Sequence, residues 1–270
     1  MSNDSTTSAG TRYRVSGNGL PLVMIHGVGM SKDIWKPQQE FFNPYFKVIQ
    51  YDTYGHGGSP LPPDNAPLNC YLDQLVELLD HLHIERAHLM GHSMGALITN
   101  NFALQYPERV ARIVPICGVY DRTPEHRERS LQTARTLKQQ GAAATLDGTL
   151  KRWFTDADYD DPQRCEAIDF IRSFLASTDS IGYPRAYEYF AQHSDETAGK
   201  MHNLAAEALF ITAEFDPNST PLMTETMAKH SQHGRALVIA NERHMLPTIA
   251  AEKINSDILK FLQNGHPQKT

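Results

Sequence analysis

The feature that most constrains this chain is Leu89-Met90-Gly91-His92-Ser93-Met94-Gly95-Ala96, a G-x-S-x-G pattern with an apolar run before it and a helical pattern after it. Ala87 to Met90 reads as a strand, and Ala96 to Tyr106 as a helix ended by Pro107. A strand that turns sharply into a helix strains the residue at the bend, and the chain can pass only if that residue's neighbours are small. Gly91 and Gly95 meet that need. The Ser93 hydroxyl is then presented at a helix start, where free N–H groups and the helix dipole favour a developing negative charge.

The rest of the chain supplies a sheet around this turn. Residues 11–16 and 20–26 read as strands about Gly17-Asn18-Gly19, a hairpin-like signal. Leu22 to Ile25 is uninterrupted and apolar, as for a strand buried on both faces, and runs into His26-Gly27-Val28-Gly29. A helix from about Ser31, its N-cap, to Phe42 follows, then a strand from Lys47 to Tyr51. The glycine-rich loop Asp52 to Ser59 leads to Asn69–Leu82, where Leu72, Leu75, Val76, Leu79 and Leu82 trace one helical face. Beyond the serine lie a strand Ile113–Cys117, awkwardly containing Pro115, a strand Ala208–Thr212, a helix opened by Thr220-Pro221, a strand Leu237–Ile239 and a helix over about 248–262. Strands alternating with helices predict an α/β fold, a doubly wound and mostly parallel sheet. Between 123 and 201 the alternation stops, and this polar, arginine-rich helical stretch is expected to be an inserted cap on a core made of 11–122 and 202–265. Residues 1–10, rich in Ser and Thr and without an apolar segment, are expected to be a disordered leader.

A serine hydroxyl needs a base to become a nucleophile, and the base needs an acid to orient it. In a doubly wound sheet such groups arrive on loops at the carboxyl ends of strands. Asp216 follows the strand 208–212, and His244 follows the strand 237–239. Glu214 and Asp121 compete for the acid, and the 13 histidines include His26, His56 and His92 near the same loops. His244 alone combines a strand-end position with a following helix. His92 is expected to point away from the reacting centre.

Taken together, His26-Gly27, Asp52-x-x-Gly-x-Gly-x-Ser59, Gly91-His-Ser-Met-Gly95, Asp216 and His244 resemble the α/β-hydrolases, in family order and over residues 11–265. The resemblance implies a Ser93–His244–Asp216 triad and an oxyanion hole of two backbone N–H groups, those of Val28 and Met94. Val119 to Pro124, Arg152-Trp153-Phe154 and Arg243 to Pro247 resemble one branch, the enol-lactonase-like hydrolases and the bacterial hydrolases of methylene-succinate amides. That resemblance implies a small, carboxylate-bearing amide as substrate. An enol-lactone or carboxylic ester is the alternative within the same chemistry, and a slow or non-catalytic receptor is the alternative of another class.

Within the cap, Leu146, Leu150, Trp153 and Phe154 share a helical face, so Trp153 is a candidate roof for the site. Arg122 and Arg172 are candidates for a bidentate grip on a carboxylate, with Arg152 ranked below them. No metal-ligand spacing or nucleotide-phosphate motif accompanies the triad, so no metal or cofactor is expected. A net charge of −6 argues against nucleic acid or anionic membrane as a partner, and three scattered cysteines suit a reducing cytoplasm. The expected partner is a small molecule.

Overall fold

The protein is described by a computed structural model covering residues 4–263. Eight strands form one sheet in the order β1-β2-β4-β3-β5-β6-β7-β8. They are β1 (Ser5–Thr6), β2 (Arg12–Ser16), β3 (Leu20–Ile25), β4 (Phe46–Tyr51), β5 (Ala87–His92), β6 (Val110–Ile116), β7 (Glu207–Ala213) and β8 (Gly234–Ile239). The β1–β2 and β2–β4 pairs are antiparallel, and β3 to β8 are mutually parallel, as the alternating pattern predicted. Leu22 to Ile25 in β3 and Leu89 and Met90 in β5 are fully buried, which is why these strands read as unbroken apolar runs.

Helices α1 (Lys36–Phe42), α2 (Asn69–His81) and α3 (Met94–Gln105) connect the first strands. Ser31 does cap the first of these segments, accepting the Asp33 N–H, but a 3-10 turn over Lys32–Trp35 precedes α1. Helix α3 is buried from Met94 to Ala103 and lies across β5 and β6, which makes it apolar nearly all round. Between β6 and β7 come α4 (Pro124–Gln140), α5 (Ala143–Trp153), α6 (Pro162–Ala176) and α7 (Gly182–His193). Helices α8 (Pro221–His230), α9 (Leu246–Ile249) and α10 (Ala251–Gln263) complete the chain. Among the described residues no helix is long and apolar enough to cross a membrane.

Two expectations are corrected. The strands flanking Gly17-Asn18-Gly19 do not pair with each other: β4 lies between them, antiparallel to β2 and parallel to β3. A strand apolar on both faces is buried only with a neighbour on each side, and β4 and β5 supply them for β3. The expected disorder of residues 1–10 does not hold from Asp4 onward, while 1–3 lie outside the described residues. Ser5 and Thr6 pair with Tyr13 and Arg12, and the Asp4 carboxylate is held by Arg12, Arg14 and Lys32 at 2.9–3.1 Å. Composition registered the polar side chains but not their three cationic partners, two of which sit on β2. Pro115, finally, does lie inside a central strand, where the β6–β7 pairs pass from Ile113↔Ala208 to Ile116↔Ile211 and so ask nothing of its missing N–H.

Candidate active site

Ser93 sits between β5 and α3 with φ 55° and ψ −113°, a backbone conformation side chains rarely adopt. Its N–H donates to the Ile116 carbonyl at 2.9 Å, tying the bend to the neighbouring strand. A methyl group at Gly91 would lie 2.1 Å from the Gly95 carbonyl oxygen, and one at Gly95 would lie 2.0 Å from that of Ile25. Both glycines are therefore required by close backbone approach, and their absence of side chains is what lets the serine stand at the bend.

The loops after β7 and β8 bring two more groups to this point. His244 places Nδ1 at 2.6 Å from Asp216 Oδ2 and Nε2 at 3.1 Å from Ser93 Oγ. The carboxylate accepts only, so Nδ1 carries the proton and the Nε2 lone pair faces the Ser93 hydroxyl. Asp216 is 2% exposed and His244 3%, while Ser93 keeps partial access. Burial alone would raise the Asp216 carboxyl. His244, the Ser219 hydroxyl and the Asn218 N–H outweigh it and hold the carboxyl below its ordinary value. The Ser219 hydroxyl donates to Oδ2 at 2.5 Å, and the N–H groups of Asn218 and Ser219 donate to Oδ1. The Cys117 thiol also lies against this carboxylate, and burial together with that charge pushes it well up.

The rival acids stand elsewhere. Glu214 accepts the Asn241 N–H at 2.9 Å, and Asp121 is exposed on a left-handed turn with φ 45°. His92 differs from expectation. Its ring lies 4.9 Å from that of His244, and its Nε2–H donates to the His244 carbonyl at 2.9 Å. The candidate oxyanion residues flank the serine: Met94 opens α3, and the loop holding Val28 lies so close that a methyl at Gly27 would be 3.2 Å from Ser93 Cβ.

The segment between β6 and β7 contributes unevenly. Trp153, the candidate roof, is stacked on His244, with ring centroids 5.5 Å apart and planes at 29°. Arg122 is 9% exposed; it donates through Nη2 to the His126 carbonyl and lies 5.7 Å from the Phe190 ring. Its Nε and Nη1 have no hydrogen-bond partner among the described residues. Burial, the largest influence, draws this guanidinium below its ordinary value, and Tyr187 and Asp195 oppose it. Arg172 is not brought to the site: its side chain is 43% exposed and paired with the surface residue Asp147. Helical spacing placed it beside the apolar face of α6, but that edge faces outward. Arg152, ranked lower from sequence, lies within electrostatic reach of Tyr183 and Tyr187, the second of which it shares with Arg122.

Other contributors carry no sequence signal. Ser219 is visible only as the end of an Asp-Pro-Asn-Ser turn. Glu242, fully buried, binds Arg164 of α6 at 2.8 and 2.9 Å and Lys253 of α10 at 2.5 Å, so the loop of His244 is clamped to α6 and α10. Arg243 donates to the carbonyls of Lys151 and Phe154 at the end of α5, where helix carbonyls lack partners. Among the described residues one group could offer three metal ligands, His92, Cys117 and His244, with donor atoms within 4.8 Å of one another. Both nitrogens of His244 are already engaged by Asp216 and Ser93.

A family model described as alpha/beta hydrolase fold matches residues 21–248. The chain is 37% identical over 263 residues to (E)-2-((N-methylformamido)methylene)succinate hydrolase of Acinetobacter baylyi, covering 97% of this chain and 96% of that relative. It is 26% identical over 218 residues to 3-oxoadipate enol-lactonase 2 of the same bacterium, covering 81% and 79%. A thermophilic esterase from Thermogutta terrifontis, solved with malate bound, matches with a TM-score of 0.88 at 25% identity, over 99% of this chain and 100% of that one.

Proposed function

The chain belongs to the α/β-hydrolase fold family and is a hydrolase, and from that premise we propose that it cleaves a small carboxylate-bearing amide of the methylene-succinate type with Ser93, His244 and Asp216. The observation that carries this reading is the continuous relay from Asp216 Oδ2 through His244 to Ser93 Oγ, at 2.6 and 3.1 Å, on a serine held at φ 55°. As Ser93 Oγ attacks the substrate carbonyl, its proton passes to His244 Nε2, and Asp216 stabilises the resulting imidazolium. The carbonyl oxygen gains negative charge and is met by the N–H groups of Val28 and Met94. Collapse of the tetrahedral intermediate breaks the C–N bond, and His244 returns its proton to the leaving nitrogen. Water, activated by the same histidine, then releases the acid and frees Ser93.

The relative at 37% identity supports the amide and the dicarboxylate. The carboxylate reading draws on Arg122, whose buried guanidinium has Nε–H and Nη1–H without partners among the described residues. The second reading, an enol-lactone or carboxylic ester, draws on the enol-lactonase relative and uses the same steps with an oxygen leaving group. A panel of methylene-succinate amides, enol-lactones and p-nitrophenyl esters, run with wild type and Ser93→Ala, tests both. The expected result is a kcat/KM highest for the dicarboxylic amide and lost in the variant. A higher kcat/KM for lactones would select the second reading, and turnover that persists in Ser93→Ala would remove both.

A further inference from the structure

The loop Tyr54-Gly55-His56-Gly57 lies between β4 and α2, and its histidine is buried at 4% exposure. His56 Nε2 accepts the N–H of Gly29 at 2.9 Å. On the other side of the ring, Nδ1 lies 3.2 Å from the Tyr54 carbonyl oxygen and 3.0 Å from Thr53 Oγ1. A carbonyl only accepts, so Nδ1 carries the proton and Nε2 presents its lone pair to Gly29. Both neighbours thus assign the same tautomer. Burial, aided by the nearby His26, drives His56 down to about 3, so the ring stays neutral and the acceptor persists at ordinary pH.

Gly29 is the point at which this matters. The Met30 N–H donates to the Gly27 carbonyl at 3.2 Å, closing a tight turn with Val28 and Gly29 in its middle. Gly29 has φ 78°, and a methyl there would lie 2.9 Å from Leu175 and Tyr183 of the cap. The turn is therefore pressed from the cap side and hydrogen-bonded from the core side. The bond from Gly29 sets the plane of the Val28–Gly29 peptide, one residue's rotation from the N–H of Val28 itself.

We propose that His56 is a positioning residue that aims the Val28 N–H at the developing oxyanion by holding Gly29 through Nε2. The proposal rests on the reading of Ser93 as nucleophile and Val28 as an oxyanion donor, and His56 itself touches no reacting atom. Because the oxyanion exists in the transition state and not in the bound ester, a misaimed donor lowers kcat and leaves KM nearly unchanged.

Three substitutions separate this from a role in folding alone. The amide of His56→Gln reaches about as far as Nε2 and can accept from Gly29; that of His56→Asn reaches only the Nδ1 position; His56→Leu offers neither. With p-nitrophenyl acetate, His56→Leu and His56→Asn should lose about 10- to 100-fold in kcat with KM within about 2-fold, and His56→Gln should stay within about 3-fold of wild type. The rate at which a fluorophosphonate labels Ser93 should fall in parallel, since its phosphoryl oxygen takes on charge at the same place. Thermal unfolding of each variant identifies a purely structural effect. If His56→Leu is destabilised yet keeps its kcat, or if Asn restores kcat as well as Gln, the inference is overturned while the hydrolase reading stands. Should His56→Leu fail to fold, the Gln and Asn pair still decides. A wild-type protein that neither cleaves the ester nor takes up phosphonate would remove the hydrolase reading and this inference with it.

Discussion

His92 donates its Nε2–H to the main-chain carbonyl of His244 at 2.9 Å, so the residue before the serine holds the backbone of the histidine that faces that serine. The two are 152 positions apart, and the bond fixes the spacing between the turn after β5 and the loop after β8. The 4.9 Å ring separation adds a steric floor beneath His244, as Trp153 adds a roof. His92 is one of three buried histidines held neutral around this site.

Burial, with His244 adding to it, drives His92 down to about 3; burial likewise takes His56 to about 3 and His26 to about 4, each from an ordinary value of 6.5. On unfolding each regains its ordinary value, so below about pH 6.5 the unfolded chain binds up to three more protons than the folded one. The stability these groups leave intact above that pH is therefore lost as pH falls from 6.5 toward 4. Melting temperature measured from pH 7.5 to 4.5 should fall progressively below 6.5, and a flat profile between pH 7 and 5 would contradict this account.

Substitution of the relay should separate chemistry from folding. Ser93→Ala and His244→Ala should each lower kcat by about 10⁴-fold or more, with melting temperature little changed for Ser93→Ala. Asp216→Asn should lose about 10³- to 10⁴-fold, since the aspartate orients the ring and stabilises its charge without itself exchanging the proton. If Asp216→Asn is harmless and Asp121→Asn is not, the acid has been misassigned.

Arg122→Met tests the carboxylate grip. Loss of a charged hydrogen-bonding partner should cost about 1.5–3 kcal/mol of binding to an acid substrate, read mainly as a raised KM. The neutral methyl ester of the same substrate should be affected far less. Arg172→Met, at an exposed pair with Asp147, should change neither. An unchanged acid-to-ester ratio in Arg122→Met would leave selection to shape and to Trp153.

Arg164→Met tests the clamp between α6 and the histidine loop. It would strand the buried carboxylates of Glu242 and Asp158, both of which Arg164 binds, with Lys253 remaining on Glu242 alone. Breaking a buried pair by removing one partner costs about 3–5 kcal/mol, and the remaining lysine places this case near the lower end. Urea denaturation should show the loss as a lower midpoint. A change below about 0.5 kcal/mol, the scale of an ordinary surface substitution, would mean that the pair contributes nothing net.

The chain's own pattern of apolar runs, glycines and helical faces determined the alternating sheet, the bend at Ser93 and the strand ends that carry Asp216 and His244. These are local properties: a run buried on both faces, or a bend too tight for a side chain at Gly91 or Gly95, is written within a few adjacent residues. Tertiary structure alone decided what each long polar side chain meets. Arg122 and Arg172 look alike in sequence, yet packing turned one inward against Phe190 and the other outward to Asp147. The pairing of β2 with β4, the seat of Asp4 among three cations, and the bonds from His92 to His244, Ser219 to Asp216 and His56 to Gly29 all join residues through space. Hydrophobic periodicity specifies which face of an element is buried, but a hydrogen bond needs its partner within about 3 Å, and that distance is set only when the elements have packed.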